Sequence, residues 1–168
     1  MIVNFTLYMM SPTEITKKWI AEFVLLHTLC PFAKIPFEAD NIMYIETEDS
    51  DLEPILLLLH TSLLELVGFS NAFLILPVMD FDRYLDVFYA CEEYLEKTGF
   101  DTKYQLASFH PEYQFANYSK EDKRNKTNQS PLPMIHILRV QEMAAAIASY
   151  GDTSNVFKEN EKKMRSLE

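Results

Sequence analysis

Glycine is scarce in this chain: Gly68, Gly99 and Gly151 are the whole supply in 168 residues. A phosphate-cradling loop needs several glycines at close spacing, so classical dinucleotide and P-loop nucleotide binding are not expected. Cysteine is nearly as rare. Cys30 and Cys91 make neither a disulfide framework nor a Cys-x-x-Cys pair, and no His-x-x-His is present. That suits a reducing compartment and leaves no local metal motif. Basic charge is in deficit, with 15 Lys and Arg against 25 Asp and Glu and a formal net charge of −10. Nucleic acid is therefore not an expected partner, because tracking phosphates needs a basic patch, and acidity also disfavours anionic membrane surfaces. The one basic cluster, Lys120 to Lys126, is interrupted by Glu121 and Asp122 and reads as a solvated loop. Long apolar runs are missing too. The longest in the Leu-rich stretch is Ile55 to Leu59, far short of a membrane span. The largely apolar start, Met1 to Met10, lacks a basic n-region and a small-residue cleavage site, so it does not read as a signal peptide. A cytoplasmic protein is expected.

What is present is a globular composition, 48% hydrophobic and 24% charged, in a length suited to one domain with a substantial core. Residues 1–10 read as a short extra strand or a loose extension. Ser11-Pro12-Thr13-Glu14 has the spacing of a capped helix start. Apolar residues from Trp19 to Leu26 continue the helix, and Pro31 is expected to stop it. His27 and Cys30 would then stack in its last turn. Ile42–Ile45 reads as a strand. Leu52 to Val67 reads as a helix so rich in Leu that it is buried on more than one face or packs on a partner subunit, which makes a homodimer an expected alternative. Ala72–Leu76 reads as a central strand. A helix capped by Asp80 ends at Gly99, with Cys91 in its apolar stripe as a core residue. Strands at Tyr104–Phe109 and Met134–Leu138 flank a loop of about 20 residues, a length that in a compact domain tends to be functional or mobile. Two helices close the chain. The order α-β-α-β-α-β-β-α-α predicts a single α/β domain over residues 1–168 with a mixed, mostly parallel four-stranded sheet.

Chemistry-bearing residues concentrate between Ser108 and Arg139. Ligands of open α/β sheets bind beyond the carboxyl ends of the strands. His110, Glu112, Tyr113, Asn128, Ser130 and His136 are therefore expected to line one pocket at that edge and take a small polar molecule. His110, held extended by Pro111, suits a general acid/base or a metal ligand, or else caps strand-end backbone. His136, inside an apolar strand, reads as a core histidine or a direct ligand contact. Arg139 can clamp a carboxylate or phosphate, or pair with Glu142. Asn128 and Ser130 can cradle an anion or build a turn. Cys30 is the one candidate nucleophile, although a helix C-terminus raises a thiol pKa. A rival reading brings Cys30 together with His110 or His136 around a metal or haem. No particular cofactor is implied by the residues, and whether the protein is an enzyme stays open.

Three stretches, Leu29-Cys30-Pro31-Phe32-Ala33-Lys34, Ser108-Phe109-His110-Pro111-Glu112-Tyr113-Gln114-Phe115-Ala116, and Thr127-Asn128-Gln129-Ser130-Pro131-Leu132-Pro133 followed by His136-Ile137-Leu138-Arg139, together resemble domain-of-unknown-function family 1415 of bacteria and plants. The resemblance spans roughly residues 15 to 165. It implies a site shared by those stretches and carries no established activity. Gln129 stands where the family usually has Arg, and Leu132 where it usually has Tyr, which weakens a cationic clamp in the loop.

Overall fold

In the computed structural model, residues 10–153 and 155–167 are described. The strand or extension expected at residues 1–10 lies outside them except for Met10. The elements are helix α1 (Pro12–Trp19), short helix α2 (Lys34–Glu38), strand β1 (Ile42–Glu46), α3 (Leu52–Glu65), β2 (Asn71–Ile75), α4 (Phe81–Thr98), β3 (Tyr104–Phe109), β4 (Met134–Arg139), α5 (Val140–Tyr150) and α6 (Val156–Ser166). The chain is thus α/β with a four-stranded mixed sheet of order β1-β2-β4-β3.

The expectation of a mostly parallel sheet is corrected. Only β1 and β2 pair in parallel, whereas β4 is antiparallel to β2 and to β3. No crossover helix lies between β3 and β4, so the chain re-enters at the edge where β3 ends and must run back. It inserts beside β2 because Ile135 and Ile137, both fully buried, extend the apolar surface of that central strand.

Alternation along the strands assigns two faces. Ala72, Leu74, Ile135 and Ile137 join Leu59, Leu63, Val87 and Cys91 from α3 and α4 in the main core. Burial of one such Leu contributes ~1.5–3 kcal/mol. Leu57, Leu64 and Val67, on the far side of the Leu-rich segment, are exposed. The opposite sheet face carries Ile42, Phe73, Ile75 and Met134, packed against Trp19 and Ile20.

Helix α1 starts as its sequence predicts. Ser11 Oγ accepts from the Glu14 N–H, and Glu14 Oε2 accepts from the Ser11 N–H at 2.7 Å. Its end does not follow the expectation. The helix widens into a π-type segment over Ile20–Leu25, and Thr28 takes φ 51°. The Leu29 N–H then donates to Val24 O at 2.9 Å, closing the end in the manner of a left-handed cap. The chain has therefore left the helix before Pro31, and the stacking of His27 on Cys30 is lost. His27 instead sets its ring edge-on to Phe23.

Candidate functional site

The carboxyl edge of the sheet does gather the expected segments, and His110 fills the space between them. His110 is 1% exposed. Its Nδ1 accepts from the Glu112 N–H at 3.0 Å, so Nε2 carries the proton and donates to Met79 O at 3.0 Å. The ring lies between Phe81 and Tyr84, with centroids at 5.2 and 5.0 Å. Burial lowers its pKa, partly opposed by the Met79 carbonyl. Both nitrogens are thus taken by backbone, and the histidine joins the turn before α4 to the end of β3.

The neighbouring loop is similarly self-satisfied. Ser130 Oγ donates to Leu132 O at 2.6 Å, a turn contact. The Tyr113 N–H donates to His110 O, and its ring packs edge-on against Phe81 and Phe115. The exposed Glu112 carboxylate pairs with Lys120 at 2.9 Å, which lowers its pKa. Asn125, fully buried, organises the rest. Its Oδ1 accepts from the Phe115 N–H, and its Nδ2 donates to Ser119 O.

A cavity of about 660 Å³ opens instead on the sheet face opposite the α3–α4 core. Its floor is Phe73, Ala107, Phe109, His136 and Leu138. The Cys30–Pro36 segment forms one wall, and Met143, Ala146 and Tyr150 of α5 form another. No residue of α5 is buried. Met143 and Ala146 face the cavity, and Tyr150 meets Phe32 edge-on across the rim at 5.7 Å. Phe157 and Asn160 of α6 complete the enclosure. Helix α6 is held there by Asn160 Nδ2 donating to Leu29 O, by Lys163 Nζ donating to Thr28 O, and by the buried Met164.

Four of the residues predicted from sequence border this cavity: Cys30, Asn128, His136 and Arg139. His110 and Tyr113 do not, and Ser130 borders a separate groove of about 490 Å³. His136 stacks on Phe73 with centroids 4.1 Å apart and planes 5° from parallel. Its Nε2 lies 3.0 Å from Asn71 Oδ1. Burial depresses its pKa to about 3, so the ring is neutral. Burial raises the Cys30 pKa, opposed in part by the N–H groups of Phe32 and Ala33, so this side chain is a thiol. Asn128 spends its amide on the fold: Nδ2 donates to Ser108 O, and Oδ1 accepts from Thr127. Arg139 Nη1 donates to the carbonyls of Val67 and Phe69 and lies 3.6 Å from Glu142. Its charge is therefore balanced at the cavity rim. Among the described residues no three His, Cys, Asp or Glu side chains converge as a metal site would require, and no helix is long and apolar enough to cross a membrane.

Asn71 and Asn160 were not singled out from sequence. Each carried a signal: Asn71 heads a strand that is otherwise wholly apolar, and Asn160 is an uncharged amide in a charged helix. A buried amide of either kind requires a partner.

Residues 11–168 match the model of a family described as Protein of unknown function (DUF1415). Comparison with curated proteins and with solved structures gave no match.

Proposed function

The chain belongs to the DUF1415 family, and we propose that it is a small-molecule-binding protein whose ligand occupies the cavity between the sheet face and α5. One observation carries this reading. Helix α5 holds an apolar side over a void of about 660 Å³ without burying any residue of its own. A volume of that size falls in the range of ligand sites, which are typically apolar with a few convergent polar groups. Here those groups are His136, Asn71, Cys30 and Asn160. The binding position thus moves from the carboxyl edge to the sheet face, and His110 becomes a structural residue. A neutral imidazole and a protonated thiol favour binding over nucleophilic or acid/base turnover, because a thiol is a weak nucleophile without a base to ionise it.

Native mass spectrometry of the protein as purified from cells, before and after unfolding, tests the reading. Extra mass that is released on unfolding is expected. Ala146→Trp, placing an indole in the cavity, should remove that mass while leaving the melting temperature near its starting value. A bare mass combined with no thermal stabilisation by any compound of a broad aromatic fragment set would sink the proposal.

A further inference from the structure

Granted that the cavity is a ligand site, its lining also selects the chemistry of the ligand. We propose that the cavity takes a flat, uncharged aromatic molecule that presents a ring N–H or an O–H to Nδ1 of His136.

The tautomer comes from the neighbour. Asn71 Oδ1 can only accept, so Nε2 of His136 carries the proton. Nδ1 is left as a bare acceptor. It has no hydrogen-bond partner among the described residues. No buried side-chain nitrogen or oxygen among those residues lacks a partner either, so Nδ1 must be reached by open space. His136 borders the cavity, and the cavity is that space.

An acceptor in an apolar surround selects a donor, because an unmet polar atom there costs free energy that a complementary group removes. The partner of His136 matters as well. Asn71 is neutral where a carboxylate would make the imidazole a stronger base, so Nδ1 accepts a hydrogen bond and does not take the proton. Shape points to a planar ring. The imidazole is already stacked flat on Phe73, and Trp19, Phe109, Phe32 and Tyr150 set further ring faces and edges around the same volume. Charge points to a neutral one. Arg139 is balanced by Glu142 and engaged by two carbonyls, and Cys30 is held as a thiol, so no unpaired charge awaits a counter-ion.

Two probes of equal shape separate the donor from the ring. Indole carries a ring N–H, and benzofuran replaces it with an oxygen that cannot donate. Titrated into the full chain and followed by NMR, indole should bind roughly 3- to 10-fold more tightly, the factor one neutral hydrogen bond supplies. His136→Phe should make the two probes equal. A long-range ¹H–¹⁵N spectrum of the native protein gives a reading that needs no variant. It should show Nε2 protonated and Nδ1 bare, with the Nδ1 resonance moving on addition of indole and not of benzofuran. Equal affinities in the native chain would overturn the donor assignment while leaving the cavity as a binding site. A proton found on Nδ1, or a preference that survives His136→Phe, would overturn the role of His136. Absence of binding by either probe would overturn the ligand class, and the native mass measurement then decides separately whether the cavity binds anything.

Discussion

Replacing His110 by Ala is the sharpest test of how the carboxyl edge of the sheet is built. The imidazole is 1% exposed and joins Met79 O to the Glu112 N–H through two bonds of 3.0 Å. Truncation leaves both backbone groups unmet, at ~1–3 kcal/mol each. It also vacates the ring's place between Phe81 and Tyr84, a change that in buried aromatic positions costs ~3–5 kcal/mol in all. The turn and loop can relax and admit water, so the combined loss should be about 4 kcal/mol, somewhat below that sum. For a chain of this size that lowers the melting temperature by about 8–16 °C. His110→Gln keeps a polar group near one partner and should lose about half as much. Urea unfolding reports the change through Trp19, the single tryptophan, whose ring packs edge-on to Phe109 at 5.3 Å. A loss below about 1 kcal/mol for His110→Ala would refute the structural role given to this residue.

Acid should destabilise the fold through His110 and His136 before the carboxylates titrate. Both have lowered pKa values, His136 at about 3, so below an unfolded value near ~6.5 the unfolded chain takes up protons that the folded chain refuses. Stability is therefore present above that pH and falls as pH drops through it, by up to ~1.4 kcal/mol per pH unit for each histidine. Urea midpoints between about pH 7 and 5 should show the slope, and His136→Phe should flatten it; an unchanged slope would count against a neutral His136. Tyr84→Phe removes a buried hydroxyl that donates to Met134 O and accepts from the Phe109 N–H, at the paired ends of β4 and β3. A loss of ~2–3 kcal/mol is expected, with amide exchange accelerated at Phe109; an unchanged rate there would show that the hydroxyl does not secure the strand ends.

Much of the architecture is legible locally. The capping box at Ser11 and Glu14, the Asp80 cap and Gly99 at φ 74° end helices by interactions within a few residues, and such interactions are readable from spacing alone. The alternation that sends Ile135 and Ile137 to one face and His136 to the other is equally local, because strand geometry has a period of two. The widened turn at Ile20–Leu25 and the left-handed Thr28 were not legible, since no glycine marks the spot and the end is held from a distance by Asn160 and Lys163 of α6.

Residue order alone reveals which side chains are polar amid apolar neighbours, and hence that Cys30, His110, Asn128, His136 and Arg139 needed partners. Which groups serve as those partners depends on the folded arrangement. Insertion of β4 between β2 and β3 sets His136 beside Asn71 and Phe73, 65 and 63 positions away in sequence. The same long loop folds His110 back onto Met79, so two histidines that look alike along the chain acquire different surroundings. One has both nitrogens closed by backbone, and the other stacks on Phe73 at the floor of a cavity. Spacing cannot distinguish them, because hydrogen-bond satisfaction is a property of neighbours in space.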